Sequence, residues 1–125
     1  MYDYLIILAS LLALDVLWLA YVMGDFYKKR LGHIMPEKIN LALAIPFYLI
    51  FSFAILVFII WPASIYSHSY LTVFLRGGLL GLAAYAAYDF TNHVTVRGWS
   101  WSLTAVDLLW GSCMTGLVAL IATLL

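Results

Sequence analysis

The chain has 125 residues, of which 66% are hydrophobic and only 10% charged, and its mean hydropathy is +1.05. A soluble domain carries about 25% charged residues, so this composition excludes one and describes an integral membrane protein. Six basic residues balance six acidic ones, which leaves no net charge to attract nucleic acid, and no nucleic-acid partner is expected.

A membrane-crossing helix needs about 20 mostly apolar residues, so the length accommodates about four spans and no soluble domain beside them. The expected fold is all-α: a polytopic four-transmembrane-helix bundle forming a single domain over 1–125, with both termini outside. The first apolar run, about 4–23, follows an N-terminus without the basic region of a cleaved signal peptide, and it contains Asp15. It reads as a retained span. It ends at Gly24-Asp25, where the longest polar stretch begins with Lys28, Lys29 and Arg30 and continues through Pro36, Glu37 and Lys38. The second run, about 39–61, holds no charge, carries Pro46 near its start, and is expected to stop at Trp61-Pro62.

A short uncharged turn, 63–69, leads to the third run, about 70–90, which contains Arg76 and the glycines 77, 78 and 81 and closes with Asp89. A loop over 92–102 with Arg97, Trp99 and Trp101 precedes the fourth run, about 103–124, with Asp107 one turn inside it. Lysine and arginine are retained on the cytoplasmic side of short loops. Lys28, Lys29, Arg30 and Lys38 in the first loop and Arg97 in the third therefore place both loops in the cytoplasm and both termini outside. Asp15, Asp89 and Asp107 then fall in the cytoplasmic half. The glycines mark the third helix as the expected centre of the bundle, because small residues let membrane helices approach closely. The second, with Phe47, Phe51, Phe53 and Phe58, is expected to face lipid more.

Two stretches repeat. Ala13-Leu14-Asp15-Val16-Leu17-Trp18 recurs as Ala105-Val106-Asp107-Leu108-Leu109-Trp110, and Gly24 corresponds to Gly116. The copies lie on helices running in opposite directions, the arrangement of an inverted repeat. Spacings of three and four put Asp15 on a face with Trp18, Asp89 with Tyr85 and Asn92, and Asp107 with Trp110. A carboxylate in a membrane costs about 2.5 to 3.5 kcal/mol, so three of them should turn inward and be partnered or protonated. Three together cannot all stay ionised in a low dielectric, which makes a proton-exchanging or cation-binding site physically natural. The expected ligand or proton site is thus Asp15, Trp18, Tyr85, Asp89, Asn92, Asp107 and Trp110. Against it stands polar packing glue, in which Trp and Tyr simply donate to buried acids for about 0.6 kcal/mol per bond.

No metal is expected beyond His93 as a candidate ligand beside Asp89, and a histidine at a loop end is ordinarily just solvated. One cysteine, Cys113, excludes an intramolecular disulfide and a cysteine-based zinc set. No phosphate-binding glycine loop, HExxH, CxxC or nucleophile elbow is present, and no lysine lies within a span, so no cofactor is expected.

Several motifs fix a resemblance: Leu14-Asp15-Val16-Leu17-Trp18, Leu31-Gly32-His33, Tyr88-Asp89-Phe90-Thr91-Asn92, Thr95-Val96-Arg97-Gly98-Trp99 and Asp107-Leu108-Leu109-Trp110-Gly111. With these in this order the chain resembles the small bacterial membrane proteins grouped as domain of unknown function 2177. Only Phe90, where leucine is expected, departs from the pattern. The resemblance implies a multi-pass protein of the bacterial inner membrane and, through lipid-modifying gene neighbours, a lipid role, but no established activity. The leading expectation is a small proton-linked transporter or ligand- or lipid-binding protein. The alternatives are a lipid-modifying membrane enzyme, or a non-catalytic partner subunit whose polar cluster is structural. Expected partners are membrane lipids and a second copy or another membrane protein.

Overall fold

A computed structural model of the protein describes residues 2–22, 24–31 and 41–125, so the polar stretch 32–40, with Pro36, Glu37 and Lys38, lies outside the described residues. Helix α1 (Tyr2–Leu17) runs on through a π turn at Trp18–Val22, and a short helix α2 (Gly24–Leu31) follows. The second span is assembled from a 3-10 turn at Leu41–Ala44, α3 (Ile45–Ile55), a π turn at Leu56–Ile60 and α4 (Trp61–Tyr66). Two long helices complete the chain, α5 (Tyr70–Thr95) and α6 (Trp101–Leu124). Four helical stretches are long and apolar enough to cross a membrane: Asp3–Ala20, Ile45–Tyr66, Tyr70–Thr95 and Trp101–Leu124. With no strand among the described residues, this is an all-α four-span bundle.

Two span ends differ from expectation. The second span does not stop at Trp61-Pro62. Proline lacks an N–H and crowds the carbonyl four residues earlier, but a π turn immediately before it widens the helix. Pro62 thereby falls in the first turn of α4, where no N–H is required. The helix ends instead at Ser67, whose φ of 54° is left-handed and whose N–H returns to the Ala63 carbonyl. The third span runs to Thr95, so Asp89 lies inside α5 and the expected loop contracts to 96–100. Ser69 caps α5 by accepting from the Thr72 N–H at 3.2 Å, and Ser100 caps α6 by accepting from the Leu103 N–H at 3.2 Å. Serine side chains at these positions satisfy donors that a helix start leaves open.

The fourth span, rather than the third, is the centre. α6 packs most extensively on α5 and also touches α1 and the π turn of the second span. It is buried from Leu103 to Ala122, whereas α5 buries only Val73, Gly77, Gly81 and Asp89. The α5 glycines mark close approach to a single partner: a Cβ on Gly77 would stand 3.0 Å from the Gly116 Cα, and one on Gly116 would stand 2.9 Å from the Phe74 carbonyl oxygen. Ser112 ties the pair further, its hydroxyl donating to the Gly78 carbonyl at 2.9 Å. On the opposite side of α6, Met114 and Val118 join Ile7 and Leu11 of α1 and Ile55 and Ile59 of the second span in one apolar core. Phe47, Phe53 and Phe58 point outward as expected, but Phe51 turns in. The second span is therefore partly core.

Candidate functional site

The acids continue the buried stripes of their helices. On α1 the stripe Ile7, Leu11, Asp15 steps by four residues and stays buried throughout. On α5 the same step runs Val73, Gly77, Gly81, Tyr85, Asp89, and Asp89 ends with no exposed surface at all. Asp107 enters from the first turns of α6.

Asp15 is well partnered. The Tyr48 hydroxyl of α3 donates to its Oδ2, and the Trp110 indole N–H of α6 donates to its Oδ1 at 3.2 Å. One carboxylate thus joins the first, second and fourth spans. Trp110 is held in turn by Trp18, whose ring stacks on it at a centroid distance of 4.2 Å and an angle of 4°. The acid of one Asp-x-x-Trp copy is bonded by the tryptophan of the other.

Asp89 is the opposite case. It is fully buried, and neither carboxyl oxygen holds a hydrogen bond of good geometry. The Asp107 carboxyl lies beside it. The nearby Trp99 indole directs its N–H elsewhere, to the Thr104 hydroxyl at 3.2 Å. A buried polar group without a partner costs about 1–3 kcal/mol, and more when charged. A charge on Asp89 has to be balanced by a proton or by something bound.

All three acids line one cavity of about 670 Å³, a volume within the usual range for small-molecule sites. The first span contributes Asp15, Trp18 and Leu19, and the second contributes Ala44, Phe47 and Tyr48. From α5 come Ala84, Tyr85, Tyr88 and Asp89, and from Trp99 onward come Leu103, Asp107 and Trp110. Every span takes part. The walls are largely aromatic, and Tyr88 meets Trp99 edge to face at 5.7 Å.

Of the residues expected from sequence, Asp15, Trp18, Tyr85, Asp89, Asp107 and Trp110 line this cavity, and Asn92 does not. Asn92 lies one turn beyond Tyr88, and its carbonyl accepts the Val96 N–H at 2.8 Å to close the end of α5. His93 also points away from the cavity. Its Nε2 bonds the Thr104 hydroxyl at 2.7 Å and its ring stacks on Trp101 at 3.8 Å. No group of three or more potential metal-ligating side chains forms among the described residues. Tyr48, Tyr88 and Trp99 are aromatic site residues that sequence reasoning missed. Tyr48 carried a signal, as a hydroxyl in a charge-free phenylalanine-rich run, and Trp99 carried none beyond its place among loop tryptophans.

A family model described as "Predicted membrane protein (DUF2177)" matches residues 1–124. No curated protein and no solved structure matches the chain.

Proposed function

The chain belongs to the DUF2177 family of predicted membrane proteins, and from that premise we propose that it is a ligand-binding multi-pass protein of the bacterial inner membrane. It works as a small proton-linked transporter whose Asp89–Asp107 pair gives up a proton when ligand occupies the aromatic cavity. The observation that carries this reading is Asp89: a fully buried carboxyl without a well-formed hydrogen bond, on the wall of a 670 Å³ cavity. Packing glue does not leave its polar atoms unpaired, since an interhelical bond is the only return on burying them.

Asp15 plays the supporting part, holding three spans together around the cavity. The antiparallel Asp-x-x-Trp copies favour transport over simple storage, because inverted repeats around a site let one arrangement of helices convert into its mirror. Four spans leave little room for an aqueous path, so the working unit is a second copy or partner protein packed against the first, surrounded by membrane lipid. The basic loops face the cytoplasm and the termini face outward.

One observation favours a second reading, a lipid-modifying enzyme. The carboxyl pair lies close to one end of the bundle, near headgroup depth, where it is positioned for general acid–base work on a lipid.

Native mass spectrometry of the gently extracted protein tests the proposal. Wild type is expected to carry a specific bound species that is absent from folded Asp89→Asn and Asp107→Asn. A wild type that carries nothing specific, or variants that retain the same species, would overturn it. In proteoliposomes, ligand-dependent proton release separates the transporter from the enzyme, which would return a changed lipid instead.

A further inference from the structure

The two ends of the cavity differ in chemistry. At one end lie Asp89, whose carboxyl oxygens hold no well-formed hydrogen bond, and the neighbouring Asp107, walled by the rings of Tyr85, Tyr88 and Trp99. No lysine, arginine or histidine is among the described residues that line the cavity. His93, the nearest histidine in sequence, is bonded to Thr104 outside it. Among the described lining residues an anionic head would meet two carboxyls and no cation. A cationic head would be neutralised by the carboxyls and faced by aromatic π surfaces, the combination that recognises ammonium groups.

At the other end Leu19 and Phe47, each 42% exposed, bring the cavity to the surface of the bundle. They stand in the last turn of the first span and the first turn of the second. This part of the wall is apolar.

We infer that the ligand is an amphipathic organic cation, an ammonium head on an apolar chain, bound with its head beside the Asp89–Asp107 pair and its chain against the apolar wall of Leu19 and Phe47. The inference rests on the ligand-binding reading above and adds to it the sign of the charge and the wall that takes the apolar chain. The same head occurs on phosphate-free amphiphilic amines and on phospholipids.

The test uses the full chain purified in maltoside micelles, with octyltrimethylammonium as probe. Octyl sulfate and octanol serve as comparisons with the same chain, and empty micelles as blank. Binding is read from tryptophan fluorescence, since Trp18, Trp99 and Trp110 line the cavity. Octyltrimethylammonium is expected to bind saturably, and at least about tenfold more tightly than either comparison. Asp89→Asn and Asp107→Asn should each weaken it by about tenfold or more, because each removes a balancing charge. Tyr88→Leu removes a ring that is 58% exposed and so leaves the core intact; it should weaken the cation by roughly two- to fivefold through lost cation–π attraction.

Lysophosphatidylcholine identifies the source of the head. Competition with the probe assigns it to a phospholipid, and failure to compete assigns it to a phosphate-free cation; both outcomes support an ammonium site. Equal binding of octyl sulfate or octanol overturns the inference, as does cation binding unchanged in both aspartate variants. A neutral or anionic species lost from those variants in mass spectrometry overturns the cation while leaving the ligand-binding reading in place. No bound species of any kind overturns both.

Discussion

Asp15 and Asp89 are both buried carboxyls in membrane helices, yet replacing each with asparagine should move stability in opposite directions. Asp15 accepts from the Tyr48 hydroxyl and, at 3.2 Å, from the Trp110 indole. Interhelical hydrogen bonds in membranes contribute about 0.6 kcal/mol on average and about 1.7 at most. Asparagine can still accept from the Trp110 N–H and can donate to the Tyr48 hydroxyl, but both bonds become neutral ones, weaker than bonds to a carboxylate. Asp15→Asn is therefore expected to cost roughly 0.6–1.7 kcal/mol. Asp89 has no well-formed bond to lose. An amide there removes an unpaired carboxyl and brings an N–H that can donate to Asp107, recovering part of a penalty of about 1–3 kcal/mol. Asp89→Asn should thus unfold later than wild type, by about 1 kcal/mol or more. Unfolding of the purified protein in maltoside by titration with sodium dodecyl sulfate, followed by circular dichroism, measures both variants side by side. A loss of stability in Asp89→Asn equal to that in Asp15→Asn would refute the reasoning, because Asp89 would then be an ordinary packing contact.

Two further outcomes follow from the geometry. Gly81→Ala should destabilise by about 1–3 kcal/mol in the same assay, because the new Cβ would run into the Gly111 carbonyl and lie 2.5 Å from the Thr115 hydroxyl. Gly78→Ala, whose Cβ would meet the Ser112 hydroxyl at 3.3 Å and its carbonyl oxygen at 3.6 Å, should stay within about 0.5 kcal/mol of wild type. His93→Ala loses the Thr104 bond and the Trp101 stack and should cost roughly 1–2 kcal/mol. It should leave octyltrimethylammonium binding unchanged, and titration of wild type with zinc should not alter its fluorescence.

The spans were legible because hydropathy reports lipid contact directly, and a charge inside such a run stands out through its cost. Asp15, Asp89 and Asp107 were found for that reason, and their aromatic neighbours by the three- and four-residue steps of a helix. Span ends were less legible. Pro62 reads as a stop because its missing N–H is visible in sequence, whereas the π turn at Leu56–Ile60 that accommodates it is not. The polar turn of Asn92 and His93 reads as loop, although α5 continues through it to Thr95. Glycines 77, 78 and 81 suggested a central third helix, but glycine records how near one neighbour comes rather than how many there are. Tyr48 and Trp99 were missed because pairing across spans depends on how each helix is rotated about its own axis. Periodicity within a single helix carries no information on that rotation.

The repeated Asp-x-x-Trp motif acquires a physical meaning from this geometry. A three-residue spacing puts the indole one turn from the acid on the same face, so when two copies run antiparallel, each tryptophan arrives opposite the other copy's acid. Trp110 bonds Asp15 in this way, and the stack of Trp18 on Trp110 fixes both rings at the crossing. Asp107, the acid of the second copy, also lies beside Asp89, on a helix outside the repeat. One copy of the motif holds the first and fourth spans together, and the acid of the other copy faces the third. Asp15 is thus bonded from two other spans, whereas Asp89, on the helix outside the repeat, holds no well-formed bond.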